Sequence, residues 1–226
     1  MKLAKNHIDA GLFTNNGEAM MRFWQQEVGL PFEETLPVGG GVRQQRHGMN
    51  GSVFKLNDAR DPLPEQPPAG YRELLIARPG LAEPRSLVDP DGNRVTLLPP
   101  GFDDVEGIGV RLAVRDEAAF RDFYGRILGL ESVGRNRYRW GDSIVMFDED
   151  PSAVRAGEMR APGFRYLTVQ VWDCDAEHAA FLAAGAEEGR PPTTLGSTAR
   201  ISFIRDPDGN WIEVSQRASL TGDLPG

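Results

Sequence analysis

The chain has 226 residues, 40% of them hydrophobic, with 25 Lys and Arg against 33 Asp and Glu for a formal net charge of −8. That length fits one large domain or two small ones, and the acidic balance argues against nucleic acid or an anionic membrane surface as a partner. A single cysteine, Cys174, excludes an intramolecular disulfide framework and any CxxC metal site and points to a reducing cytoplasm; with no long apolar run anywhere near the start, neither a secretory signal nor a membrane span is expected.

In chain order, Ile8, Ala10 and Leu12 alternate with His7, Asp9, Gly11 and Phe13, the period-2 pattern of a strand. Asn15 or Asn16 then caps a helix carrying Met20, Phe23, Trp24 and Val28 up to Gly29, and strands follow near 32–37, 42–46 and 52–57. A Pro-rich loop over 61–70 leads to a second unit with strands at 72–77, 84–88 and 93–98 and no room for a helix. Pro99, Pro100 and Gly101 with the acidic run after them read as a linker. The third unit repeats the first: a strand over 108–114, Asp116 as N-cap, a helix presenting Phe120, Phe123, Tyr124 and Ile127 before Gly129, then strands near 131–133, 137–140 and 143–147. In the fourth, Leu167, Val169 and Val171 alternate with Tyr166, Thr168, Gln170 and Trp172; a helix ends at Gly185, and strands fall near 186–188, 199–204 and 211–216.

Two signals make this an internal duplication. Asp-Pro-Asp-Gly-Asn occurs at 89–93 and again at 206–210, 117 positions apart (206 − 89); in each copy Asp opens a tight turn, Pro presets φ and Gly supplies a left-handed residue. Phe23-Trp24 before Gly29-Leu30 is echoed by Phe123-Tyr124 before Gly129-Leu130, at an offset of 100 (123 − 23). The expected fold is α+β, built of tandem βαβββ modules of which the second is abbreviated and has lost its helix. The expected division is an N-terminal domain over 1–100 (modules 1–57 and 71–99), a linker over 101–107, a C-terminal domain over 108–217 (modules 108–148 and 164–217) and a tail over 218–226.

Repeated βαβββ units ending in an Asp-Pro-Asp-Gly-Asn hairpin resemble the vicinal oxygen chelate superfamily of glyoxalase I, bleomycin-resistance proteins and extradiol dioxygenases, over nearly the whole chain. The resemblance implies paired modules curled into incomplete barrels around a cleft, with helices outside. It also implies one divalent metal (Fe, Mn, Ni or Zn) held by His and Glu from first and last strands. Only His7 and Glu213 match that pattern; the corresponding positions elsewhere hold Lys55, a residue near Tyr71 to Glu73, Thr96, Gly109, Met146 and Tyr166. Pairing the first module with the fourth, as in the long monomeric glyoxalases, would gather His7, Lys55, Tyr166 and Glu213 into one cleft; pairing neighbours would not.

His7, Glu213 and Tyr166 are therefore the catalytic candidates, His7 and Glu213 the metal ligands, and Lys55, Tyr166, Gln170 and His47 the ligand-binding residues. Against these stand plainer readings: His7 as a capping histidine, Tyr166 as a cleft-lining aromatic, Lys55 as a strand-edge charge, His47 as an exposed residue near a hairpin tip. His178 is expected on the exposed face of its helix. Two functions fit. One is a glyoxalase- or dioxygenase-like enzyme acting on a small carbonyl-bearing or aromatic compound through an incomplete metal site. The other is a metal-free small-molecule-binding protein like the bleomycin-resistance proteins. A third reading makes the shortened half a lid or a homodimer platform. Glyoxalase I proper and a conventional extradiol dioxygenase are disfavoured by the missing ligands.

Overall fold

The computed structural model describes residues 1–222 and 224, so positions 223, 225 and 226 of the expected tail lie outside the described residues. The first unit comprises β1 (Asp9–Thr14), α1 (Gly17–Arg22), β2 (Phe32–Pro37), β3 (Val42–Met49) and β4 (Ser52–Ala59). The second has β5 (Tyr71–Ala77), β6 (Arg85–Val88) and β7 (Arg94–Leu98), and residues 78–84 between its first two strands form no helix. The third runs β8 (Ile108–Val114), α2 (Glu117–Arg121), β9 (Glu131–Gly134), β10 (Arg137–Trp140) and β11 (Ser143–Glu149). The fourth runs β12 (Gly163–Gln170), α3 (Cys174–Ala184), β13 (Glu187–Leu195), β14 (Ala199–Arg205) and β15 (Trp211–Arg217), followed by the short α4 (Ala218–Thr221).

Both α1 and α2 widen into π-helical turns, at Phe23–Glu27 and Asp122–Ile127. Each turn carries a buried aromatic pair, Phe23 with Trp24 and Phe123 with Tyr124, and each ends at a left-handed glycine, Gly29 or Gly129. These rings anchor the helices to the sheets: Trp24 stacks on Phe54 of β4 at 3.9 Å between centroids, and Tyr124 on Phe147 of β11 at 6.0 Å. Asp116 caps its helix through the Ala118 and Ala119 amides, whereas Asn16 makes no such bond and donates instead to Asp91.

The strands form an eight-stranded sheet in the order β13-β14-β15-β12-β1-β4-β3-β2 and a seven-stranded sheet in the order β6-β7-β5-β8-β11-β10-β9. The first module thus joins the fourth through the antiparallel β1/β12 pair, and the second joins the third through β5/β8. Each sheet draws on both halves of the sequence, so the sheets do not follow a division at residues 101–107. An apolar core lies under the helices, against the face of each sheet that carries Ile8, Ala10, Leu12, Val110, Leu112, Leu167, Val169, Ile212 and Val214.

The twin pentapeptides tie the two sheets together reciprocally. In each, the first Asp accepts amide bonds from inside the turn: Asp89 Oδ1 from Asp91 N and Asn93 N, and Asp206 Oδ1 from Asp208 N and Asn210 N. The second Asp reaches the opposite sheet. Asp208 accepts from Arg115 N at 2.8 Å and Arg115 Nε at 2.6 Å beyond β8, while Asp91 accepts from Thr14 Oγ1 and Asn16 Nδ2 at the end of β1. Burial raises the carboxyl of Asp89 above its ordinary range and pushes that of Asp206 up to about 7.

Candidate functional site

Because side chains alternate across a strand, the face of the eight-stranded sheet turned away from the helices receives Asp9, Gly11 and Phe13 from β1. Tyr166, Thr168 and Gln170 come from β12, Glu213 and Ser215 from β15, Lys55 and Asn57 from β4, and Gln44 and Arg46 from β3. Register brings the charged members together: Thr168 lies between Asp9 and Glu213 on its two neighbouring strands, and Lys55 lies opposite both Gly11 and Arg46. Lys55 Nζ donates to Thr168 Oγ1 at 2.6 Å and to Glu213 Oε2 at 3.0 Å, and Thr168 Oγ1 donates to the same Glu213 oxygen at 2.8 Å. The Lys55 and Glu213 side chains are 5% and 12% exposed, so this is a buried ion pair. Asp9 accepts from Lys5 Nζ and from Val53 N, both at 2.8 Å.

Tyr166 packs beside this cluster with its ring 5.4 Å from Lys55 Nζ. Its hydroxyl accepts from Asn57 Nδ2 and Gln44 Nε2, and burial together with the Glu213 charge raises its pKa further from the neutral range. That ring occupies the space where a Cβ on Gly11 would stand, which explains the glycine. Phe13, Val42, Ala59, Leu63, Phe203 and Trp211 make an apolar wall continuous with Tyr166. Gln170 is buried and, among the described residues, its Oε1 has no hydrogen-bond partner.

Of the residues expected in this cleft, Lys55, Tyr166, Gln170 and Glu213 are present. His7 is not: it precedes β1, and its Nδ1 lies 2.6 Å from Asp142 in the turn between β10 and β11. Asp9 occupies the first-strand position instead. The signal for this was in the duplication, since an offset of 100 equates Gly109 with Asp9 and His7 with Gly107 (109 − 9; 107 − 7). Thr168, likewise, holds the position expected for Tyr166, as its register with Asp9 and Glu213 shows.

His47 is not at a hairpin tip but inside β3, fully buried on the helix-facing side between Phe32 and Phe54. The tip is Asn50-Gly51, both with positive φ, a dipeptide that favours a hairpin turn. Desolvation lowers the His47 pKa, disfavouring the protonated ring. His178 is also buried, against Glu188 at 3.1 Å. Cys174 donates to Ser202 and the Val214 carbonyl; burial pushes its thiol up to about 11, leaving no thiolate for chemistry.

These residues do not fit the divalent metal of the resembled superfamily. The four ligand-position side chains are Asp9, Lys55, Thr168 and Glu213; a charged Lys offers no lone pair, and its ammonium already occupies Glu213 Oε2. Among the described residues no group of three or more His, Cys, Asp and Glu is arranged to hold one. The equivalent positions in the seven-stranded sheet, by the same register, are Gly109, Met146, Leu75 and Thr96. That second cleft is filled from within: Val105 packs there with Leu75, Leu98, Ile144 and Met146. A Cβ on Gly109 would come within 2.9 Å of the Val105 side chain.

Residues 103–214 match the family model described as Glyoxalase/Bleomycin resistance protein/Dioxygenase superfamily. A lactoylglutathione lyase from Pseudomonas aeruginosa is 26% identical over 148 residues, covering 50% of this chain and 82% of that protein. Among solved structures, glyoxalase I from Zea mays superposes with a TM-score of 0.74 at 15% identity over 93% of this chain and 92% of that one. A proposed dioxygenase from Bacillus subtilis superposes with a TM-score of 0.69 at 14% identity, covering 100% and 87%. Agreement at such identities extends to the fold. Residues 103–214 therefore belong to the Glyoxalase/Bleomycin resistance protein/Dioxygenase superfamily, and the chain as a whole shares the fold of glyoxalase I.

Proposed function

We propose that the chain binds a small carbonyl-bearing or aromatic molecule in the cleft of the eight-stranded sheet without a divalent metal, in the manner of a bleomycin-resistance protein. The observation that carries this is Lys55, whose ammonium bonds Glu213 at 3.0 Å and Thr168 at 2.6 Å at the centre of the four ligand positions. The wall of Phe13, Tyr166, Phe203 and Trp211 offers the apolar and aromatic surface that small-molecule sites use, with a few convergent polar groups beside it. A second reading keeps chemistry: an ammonium and a carboxylate in contact, next to a phenol, form an acid–base set able to move a proton next to a carbonyl without a metal.

The test combines calorimetric titration with benzaldehyde, benzamide and 1-naphthamide and a lactoylglutathione lyase assay run with and without added Zn²⁺ or Ni²⁺. The expected result is saturable binding of one aromatic molecule per chain, weakened in Phe203→Ala, and no metal-dependent turnover. Turnover that appears on metal addition and disappears in Glu213→Gln would overturn the metal-free reading. Turnover that is indifferent to metal and is lost in Lys55→Met would select the acid–base alternative.

A further inference from the structure

Resting on that reading of the cleft, we propose that it contains a carboxylate subsite between Arg46 and Arg217, held in the free protein by the side chain of Glu34. Its ligands are small monocarboxylates with an apolar or aromatic body.

Arg46 is the starting point. It projects from β3 into the cleft with its side chain only 8% exposed, directly across the strand pair from Lys55. Two cations facing each other across a ladder repel, and a buried guanidinium is stable only when its donors are met. Lys55 has Glu213. Among the described residues the Arg46 side chain makes one hydrogen bond, from Nη1 to Gln44 Oε1 at 3.1 Å. Its buried Nε has no hydrogen-bond partner among the described residues: the Glu34 oxygen 3.2 Å away stands close enough for charge neutralisation but not in line with the N–H.

Glu34 belongs to β2, the edge strand of the sheet, and its side chain is 47% exposed. The same oxygen, Oε1, also serves Arg217 at the end of β15, at 3.9 Å. Since β2 and β15 lie far apart in the strand order, this contact spans the cleft rather than following the sheet. One exposed carboxylate oxygen therefore serves two arginines, one of them buried, through a single misaligned contact and a single long one. A guanidinium binds a carboxylate best through two parallel in-plane bonds, and neither arginine obtains that from Glu34. A ligand carboxylate entering from solvent could align with Arg46 Nε and reach Arg217, releasing Glu34 to water at little cost.

The surroundings define the rest of the ligand. Ser215 and Gln170 lie side by side on the cleft face, and Gln170 Oε1 is available as an acceptor. Toward the other end, Ile201 and Phe203 of β14 lie opposite Ser215 and Glu213. Arg190 stacks over the Phe203 and Trp211 rings at 5.6 and 5.4 Å. A carboxylate at Arg46 thus directs an attached apolar or aromatic body along Ile201 toward Phe203.

The test is a matched series of acids and their primary amides, namely benzoate, phenylacetate, phenylpyruvate and 1-naphthoate, titrated calorimetrically against the full chain at low ionic strength. Acids are expected to bind at least tenfold more tightly than their amides. Glu34→Gln, by removing the internal competitor, should tighten the acids several-fold and leave the amides unchanged. Arg46→Gln and Arg217→Gln should each abolish the preference for acid over amide; because Arg217 is partly exposed, its variant guards against a folding defect in the other. Equal affinity for acids and amides, or tighter acid binding lost in Glu34→Gln, would overturn the subsite while leaving aromatic binding in the cleft intact. Absence of binding by every acid and every amide would overturn both.

Discussion

Breaking the Lys55–Glu213 pair tests the energetic basis of the metal-free cleft. At 3.0 Å and an effective dielectric of about 20, the attraction is roughly 5 kcal/mol, set against desolvation of two side chains that are 5% and 12% exposed. Removing one partner strands the other charge in the cleft, so Lys55→Met and Glu213→Gln should each destabilise by about 3–5 kcal/mol. For a chain of this size that corresponds to a fall in Tm of roughly 6–20 °C, at about 2–4 °C per kcal/mol. Thr168 is fully buried and hydrogen-bonded to both, so removing the pair alone would leave an unsatisfied hydroxyl worth about 1–3 kcal/mol. The triple variant Lys55→Met, Thr168→Val, Glu213→Met removes all three polar groups and should recover to within about 1 kcal/mol of the native chain, as apolar replacements of buried ion pairs do. Urea denaturation of the series at pH 7 provides the numbers. Single variants costing under about 1 kcal/mol, or a triple variant as unstable as the sum of its singles, would refute a coupled, buried pair at this position.

Three further outcomes follow from other parts of the fold. Asp206, raised from 3.8 to about 7 by burial, holds its proton in the fold at pH values where the unfolded chain has lost it. Its contribution is thus complete below about pH 4 and lost as pH rises toward 7, by roughly 4 kcal/mol over about three units. In urea titrations Asp206→Asn should flatten that slope, and an unchanged slope would contradict the assignment. His47, whose pKa is lowered by desolvation, contributes stability that is present above the unfolded value of 6.5 and lost as pH falls below it. His47→Gln should soften acid denaturation while leaving ligand affinity unchanged, because the ring lies on the opposite face from the cleft; a loss of binding would contradict that placement. Gly11→Ala should displace the Tyr166 ring that occupies its Cβ position, costing about 1–3 kcal/mol and weakening aromatic ligands; unchanged ligand affinity in calorimetry would contradict a cleft role for Tyr166.

The fold was legible because its signals are local and repeated. The Asp-Pro-Asp-Gly-Asn turns, the aromatic pairs before Gly29 and Gly129, and the missing helix after Tyr71 all lie in short segments whose chemistry is self-contained. Glu213 was legible for the same reason, being three residues beyond its turn's Asn. Module pairing was not, because β1 finds β12 across 150 residues and nothing local encodes that choice. His7 drew attention as a rare metal-ligand type, yet a shift of two residues keeps a side chain on the same face while moving it about 7 Å along the strand, here beyond the start of β1. His47 was misread because the hairpin tip was set too early, although Asn50-Gly51 marks it. Arg46 carried no motif at all; its significance comes from standing opposite Lys55 with an unmatched N–H.

Metal analysis of the purified full chain before and after dialysis against Zn²⁺, Ni²⁺, Mn²⁺ and Fe²⁺ tests whether the Lys55 ammonium takes the place of a metal in the cleft. Sub-stoichiometric metal is expected in every case, with the same result for Glu213→Gln. One metal ion retained per native chain, and lost in Glu213→Gln, would contradict it.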